Sequence, residues 1–207
     1  MISVKKDCAE ITLPSSCWER SFKFANEVID TNIDKYQKRG QGARDKIIDQ
    51  IAQGKLAEIA VSKFFSSIGL TVTLPDFKIY SKWEKSYDAD LDIQMGKIFY
   101  PIHVKSISTD SASHFGLSWI FQRSDPLYFA SARIDLKYDK IALCETLSRS
   151  VVRFYGLCNP TTLRSNSKPL RVESLRDNKV ALYHKGISEQ LSLLPQIDAI
   201  TTFHSHE

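Results

Sequence analysis

The sequence predicts an α/β fold of the α+β type, with a central mixed β-sheet flanked by helices. Apolar residues recur at helical spacing over residues 16–36 and again over 45–70. Polar and apolar side chains alternate over residues 88–108, as they do in a pair of strands. Two more apolar runs, 140–144 and 151–158, are rich in the aliphatic and aromatic side chains that favour strands.

The first predicted helix is amphipathic. Trp18, Phe22, Ala25 and Ile29 recur at the spacing that places them on one side of a helix. Covering the core is the common role of such a helix. Its aromatic residues would also suit a dimer interface.

A basic, glycine-containing linker is predicted over residues 38–46. Because it leads into the second helix, it could lie along a phosphate backbone, with Arg39, Arg44 and Lys46 as donors. A solvated linker without that role accounts for the composition equally well.

The second predicted helix carries an acidic residue on its apolar stripe. Glu58 shares this stripe with Ile51, Val61 and Phe65, so its carboxylate is predicted to point inward. An ionised carboxylate there is costly unless it is paired with a cation or a metal. Gly54, one turn earlier, has no side chain and would let another backbone or a bound ion approach closely.

The predicted strand pair forms a hairpin with its turn centred on Gly96. Asp90 and Asp92 fall on one face of the first strand, and His103 and Lys105 fall on one face of the second. Folding the strands together brings the carboxylates toward the imidazole and the ammonium. The alternative is a half-buried hairpin whose charged outer face is solvated.

The predicted strands over 140–144 and 151–158 extend the central sheet. The stretch between the hairpin and these strands contains Gln122 and Arg123. Their side chains are of the types that read base edges, and they are equally good loop residues.

The hairpin and the second helix resemble the PD-(D/E)XK, or restriction-endonuclease-like, nucleases over about the middle third of the chain, from Asp45 to Ser108. The resemblance consists of the helix that carries Glu58, residues 90–93 as the first catalytic strand, and residues 102–106 as the strand that ends in the catalytic lysine. One position departs from the family pattern. His103 stands where the family usually has Glu, Asp or sometimes Gln.

The resemblance implies a restriction-endonuclease-like core and a Mg²⁺-dependent endodeoxyribonuclease, with Mn²⁺ as a substitute ion. The catalytic residues that it implies are Glu58, Asp90, His103 and Lys105. The metal ligands that it implies are Glu58, Asp90 and the backbone carbonyl of Val104. Lys105 would hold or deprotonate the attacking water and offset charge on the phosphorane.

The role of His103 has two interpretations. Its nitrogen could bind the ion directly, which Mn²⁺ tolerates better than Mg²⁺. It could instead orient water while Glu58 or Asp92 supplies the missing carboxylate, and we expect this second role because Glu58 is predicted to point inward.

The composition fits one domain over residues 1–207, with 43% hydrophobic content. We expect an N-terminal helical extension (1–40), a catalytic core (45–158) and a C-terminal extension (159–207). Lys and Arg outnumber Asp and Glu by 28 to 24, a charge of +4 that is compatible with binding nucleic acid without proving it. No apolar run reaches the length of a membrane span, and the start has no secretory signal.

A cytoplasmic protein is therefore expected. The four cysteines show neither a CxxC pair nor zinc-site spacing, so they are predicted to be reduced thiols. No Walker loop is present, and no nucleotide cofactor is expected.

Small size and the lack of a recognised DNA-binding module favour a Type II restriction endonuclease that acts on double-stranded DNA as a homodimer. One alternative is a structure-specific repair or junction nuclease. Another is a catalytically degenerate nucleic-acid-binding module, in which His103 marks lost catalysis. The retained Glu58, Asp90 and Lys105 argue against it.

Overall fold

The fold is mixed α+β, as the sequence predicts. The computed structural model describes residues 1–5, 7–37, 43–80, 89–121, 140–160, 167–169 and 179–182. Within them the elements are, in chain order, β1 (Ile2–Lys5), β2 (Cys8–Thr12), α1 (Ser15–Gln37), α2 (Arg44–Ser67), β3 (Thr71–Val72), β4 (Leu91–Met95), β5 (Ile98–Ser108), α3 (Thr109–Phe115), β6 (Ser118–Phe121), β7 (Lys140–Thr146), β8 (Val151–Cys158), β9 (Ser167–Pro169) and β10 (Lys179–Leu182).

The central sheet has seven strands in the order β1-β2-β8-β7-β5-β4-β3. β5 and β7 run parallel, and the other neighbours are antiparallel, so the sheet is mixed as predicted. β6, β10 and β9 form a separate three-stranded sheet. β1 and β2 were not predicted from the sequence. They place residues 2–5 and 8–12 in the central sheet, with β2 beside β8.

The two faces of the central sheet are covered by different elements. α2 packs on one face, against a core that includes Leu91 and Ile102, and α1 packs on α2. We call this side the α2 face. On the other side Trp119 of β6 packs with Ile141 and Leu143 of β7, and we call it the β6 face.

Aromatic packing fixes α2 on the sheet. The rings of Phe64 and Phe65 on α2 and Phe154 on β8 lie 5.2–5.7 Å apart between centroids. All three side chains are buried, and each contributes about 1.5–3 kcal/mol by leaving water. Since Glu58 lies two turns before Phe65 on the same helix, this packing also fixes the position of its carboxylate.

Charged side chains tie three strands together across the sheet. Arg153 of β8 donates to Glu10 of β2 at 2.7 Å and to Glu145 of β7 at 3.1 Å. The Tyr155 hydroxyl also donates to the buried Glu145, at 2.6 Å. These bonds hold β2 against β8, in a part of the sheet that was not predicted from the sequence.

Two helix starts differ from the predicted pattern. α2 begins at Arg44, so Arg44 and Lys46 lie in its first turn and not in a linker. A third helix, α3, directly follows β5, and the Ser108 side chain caps it by accepting from the Ser111 amide at 3.1 Å.

No helix among the described residues is long and apolar enough to cross a membrane. All four cysteines are free thiols, and Cys144 and Cys158 are buried. Burial raises the pKa of both of these thiols, which keeps them protonated.

Gly54 lies in the middle of α2, where no backbone among the described residues makes the close approach predicted from its missing side chain. A Cβ built on Gly54 would have no described atom within 4 Å. Glycine therefore costs helix stability here, and no backbone in the described part of the chain takes up the space beside it.

Gly54→Ala should raise the free energy of unfolding by about 0.5–1 kcal/mol, because alanine loses less backbone entropy in a helix. Urea titration followed by circular dichroism would measure the change. Gly69→Ala is the matched control and should destabilise, because the φ angle of Gly69 is +82°. A loss of stability in Gly54→Ala would show that the space beside Gly54 is needed.

Candidate active site

The candidate site lies where β4 and β5 separate, which we call the fork. The antiparallel register of the two strands ends with Leu91 opposite Ile102. β5 continues to Ser108 alongside β7. The predicted hairpin is confirmed, with Gly96 in its turn at a φ of +63°.

Asp90 takes the place of a strand partner at the fork. Its Oδ2 accepts a hydrogen bond of 2.7 Å from the amide of Val104. In an antiparallel ladder the N–H and C=O of one residue face the same neighbour, so the Val104 carbonyl also faces this edge of β5. The Asp90 carboxylate and the Val104 carbonyl, two of the implied metal ligands, are thus brought together.

Glu58 faces the sheet from α2, as its apolar stripe predicts. The residue is 7% exposed. Burial raises the pKa of the Glu58 carboxyl to about 8, and the charge of Asp90 adds to the rise. The two carboxylates are therefore close enough to repel each other, while the positive charge of Lys55 opposes the rise.

Lys55 is a member of the site that the sequence analysis missed. Its Nζ lies 2.6 Å from Oε2 of Glu58. The same ammonium lies 5.3 Å from the ring centroid of Phe24 and 5.8 Å from that of Phe77. The i,i+3 spacing of Lys55 and Glu58 on a helix was a usable signal, because such pairs are neighbours on the helix surface.

Asp76 is a third carboxylate near Glu58, and its charge also raises the pKa of Glu58. Its oxygens accept hydrogen bonds from the Tyr80 hydroxyl at 2.6 Å and from the Lys78 amide at 2.7 Å. These bonds lower the pKa of Asp76 and organise the segment after β3. Asp76 thus adds negative charge to the site while its own oxygens are bonded within the segment.

His103 and Lys105 lie on the β6 face of β5. They alternate with Val104, which packs toward the α2 core, and they share their face with Ile107, which packs near Trp119. His103 is 9% exposed and Lys105 is half-buried. Glu58 therefore lies on one face of β5, and the side chains of His103 and Lys105 point to the other face.

Asp92 shares the β6 face. It lies opposite Pro101 in the hairpin register, which is the face predicted for it. Its backbone amide donates to the Thr73 hydroxyl at 2.7 Å, which joins β4 to the end of β3. Asp90, by contrast, lies beyond the last strand pair and turns its carboxylate into the edge of β5.

The predicted DNA contacts are only partly described. Arg44 forms an exposed ion pair with Asp30, 2.5 Å between nitrogen and oxygen, and Lys46 is exposed in the same turn of α2. Arg39, Gln122 and Arg123 lie outside the described residues. The predicted placement of Arg44 and Lys46 in a linker is wrong, because both lie on α2, and their contact with a phosphate backbone stays a prediction.

The donor set at the fork fits a hard cation. Among the described residues, no three His, Cys, Asp or Glu side chains come together to hold a metal ion. Mg²⁺ often uses one or two carboxylates and takes its remaining ligands from water and substrate phosphate. Glu58, Asp90 and the Val104 carbonyl would supply that kind of set, and a cation would relieve the repulsion between the two carboxylates.

Glu58→Gln should change how the stability of the metal-free protein depends on pH. With a pKa near 4.5 when unfolded and about 8 when folded, Glu58 contributes stability below pH 4.5 that is lost as the pH rises through 8. The variant lacks this loss. In chelator it should match the wild type at pH 4.5 and be more stable by a few kcal/mol at pH 9.

Thermal melts across this pH range would measure the difference. The control is Glu27→Gln, at an exposed position of α1. Lower stability of Glu58→Gln at pH 9 would show that the ion pair with Lys55 outweighs burial and the repulsion from Asp90.

Asp90 substitutions should separate charge from hydrogen bonding. Asp90→Asn keeps an oxygen for the Val104 amide, so its stability should stay within about 0.5 kcal/mol or rise as repulsion with Glu58 is removed. Asp90→Ala leaves the amide without its acceptor and should cost about 1–3 kcal/mol. Hydrogen exchange at the Val104 amide should speed up in the alanine variant only. Asp92→Ala is the control for exchange at this amide. Equal effects of Asp90→Asn and Asp90→Ala would contradict the role of Asp90 as acceptor for the Val104 amide.

Comparison of the chain with protein-family models, with curated proteins and with solved structures finds no match. Any assignment of function must therefore start from three features of the fork. They are the buried Glu58 beside Asp90, the Asp90 carboxylate on the Val104 amide, and Lys105 one residue further along β5.

Proposed function

We propose that the chain is a metal-dependent endonuclease with a restriction-endonuclease-like core, and that it hydrolyses phosphodiester bonds of double-stranded DNA. The observation that carries the proposal is the fork. A buried glutamate and an aspartate repel each other there, and the aspartate is held on the strand that leads into Lys105. A Type II restriction endonuclease acting as a homodimer is the specific form that we propose, since a palindromic duplex presents two equivalent phosphates.

Phosphodiester hydrolysis requires charge neutralisation at the phosphate, a hydroxide at neutral pH and help for the leaving oxygen. Glu58, Asp90 and the Val104 carbonyl would hold Mg²⁺, or Mn²⁺ in its place. When bound, the ion acts as a Lewis acid and lowers the pKa of a bound water. The hydrogen bond from the Val104 amide supports this role of Asp90, because it fixes the position of the carboxylate.

Lys105 would donate to the attacking water or to the phosphate oxygens from the β6 face. Because Glu58 approaches from the α2 face, a phosphate at the edge of β5 would lie between the two groups. His103 is buried on the β6 face beside Ile141, which supports a role in orienting water or Lys105 over a role as a ligand next to Glu58.

A second candidate is a nucleic-acid-binding module without catalysis. The observation that favours it is the ion pair of Lys55 with Glu58, 2.6 Å long, which supplies Glu58 with a cation from the chain itself. The raised pKa of Glu58 weighs against it, because Lys55 does not fully offset burial and the charge of Asp90.

Incubating the pure protein with a mixed-sequence plasmid and Mg²⁺ tests the proposal. Discrete bands are expected for site-specific cleavage, a smear would indicate a general nuclease, and intact but bound DNA would favour the binding module. Chelator should abolish cleavage.

Lys105→Ala and Asp90→Asn should each lower the cleavage rate at least about a hundredfold while DNA affinity stays within tenfold. His103→Gln should keep substantial activity. Lys63→Ala is the matched control, since Lys63 is on α2 and donates to the Thr12 carbonyl far from the fork. Undiminished cleavage by Lys105→Ala or Asp90→Asn would overturn the assignment, and a total loss in a folded, DNA-binding His103→Gln would give the histidine a direct role.

A further inference from the structure

We infer that Lys55 is the built-in counter-cation of the fork, which holds Glu58 in the metal-free protein and competes with a divalent ion for the same carboxylate. This inference rests on the proposed function. It adds a positioning residue that acts through Glu58, and it predicts that the chain weakens its own metal binding.

The contact between the two residues is short and shielded from water. Nζ of Lys55 lies 2.6 Å from Oε2 of Glu58, and the side chains are 15% and 10% exposed. Both residues lie on α2, whose packing on the sheet fixes them relative to each other. A buried pair of this kind is costly to break when one partner is removed, because the other charge is left uncompensated.

Lys55 lies beside the negative charge of Glu58, which a metal ion would also have to neutralise. The negative charge of Asp90 lies near Glu58, in a site largely closed to water. The ammonium supplies one positive charge, whereas Mg²⁺ would supply two and could reach both carboxylates. The ammonium and the ion therefore compete for Oε2 of Glu58, and like charges at a few ångströms repel strongly in a protein interior.

Two aromatic rings flank the Lys55 ammonium where it contacts Glu58. The ring centroids of Phe24 and Phe77 lie 5.3 and 5.8 Å from Nζ, within the range of cation–π attraction. The Asp76 carboxylate, next to Phe77 in the chain, also has its pKa lowered by the charge of Lys55. The flexible four-carbon stem of Lys55 would let the ammonium move away from Glu58 and stay near these groups when an ion binds.

Mg²⁺ titration calorimetry on the DNA-free protein tests the competition directly. Lys55→Met removes the charge but keeps an apolar stem against the two rings. This variant should bind Mg²⁺ at least about tenfold more tightly than the wild type in the same buffer. Lys55→Arg keeps the charge and should stay within about threefold. Lys63→Met, at a half-buried position of α2 whose ammonium contacts the Thr12 carbonyl, should leave affinity unchanged.

Thermal melts give a second readout that does not depend on cleavage. In chelator Lys55→Met should melt below the wild type, and Mg²⁺ should restore more of its stability than it adds to the wild type. The double variant Lys55→Met/Glu58→Gln should recover the melting temperature in chelator, because no buried carboxylate is left unpaired. If Lys55→Met unfolds in chelator, saturating Mg²⁺ should refold it.

The outcomes separate this inference from the proposed function. Mg²⁺ binding by the wild type with equal or weaker binding by Lys55→Met would overturn the competition and leave the nuclease proposal intact. Failure of Mg²⁺ to refold an unfolded Lys55→Met would overturn it as well. No Mg²⁺ binding by either protein would remove both proposals.

Discussion

The buried carboxylate of Glu58 needs a positive partner, and that need explains how several parts of the chain meet. Lys55 pairs with it, and the Lys55 ammonium in turn lies near Phe24 of α1 and Phe77 of the segment after β3. The guanidinium of Arg20 lies 3.9 Å from the centroid of the Phe77 ring. One charge buried under α2 is thus linked to α1 and to residues 73–80 through cations and aromatic rings.

β5 connects this buried charge to the rest of the sheet. It pairs in parallel with β7 along its second half and in antiparallel with β4 along its first half. Only the second half continues past the fork. Since one strand supplies the Val104 amide at its edge and His103 and Lys105 on the β6 face, the relative positions of these groups follow from strand geometry alone.

The alternation of apolar and polar residues was enough to predict the hairpin and which of its side chains share a face. It also predicted the face on which Asp92 lies. A helical stripe was enough to predict the burial of Glu58. The edge position of the Asp90 carboxylate was beyond prediction, because alternation assigns a side chain to a face and says nothing about a strand that has ended. The pattern also did not show which sheet face α2 covers. β1 was not predicted because its alternation of apolar and polar residues spans only four residues, which is too short to mark a strand by itself.

The hydrogen bond from the Val104 amide to Asp90 also protects the protein against unwanted association. Where two strands separate, the backbone groups of the longer strand are open to pairing with a strand from another molecule. The Asp90 carboxylate occupies the amide that such a strand would need, and its negative charge repels the incoming carbonyl oxygens. The side chain that we propose as a metal ligand thus also blocks the edge of β5 against strand addition and aggregation.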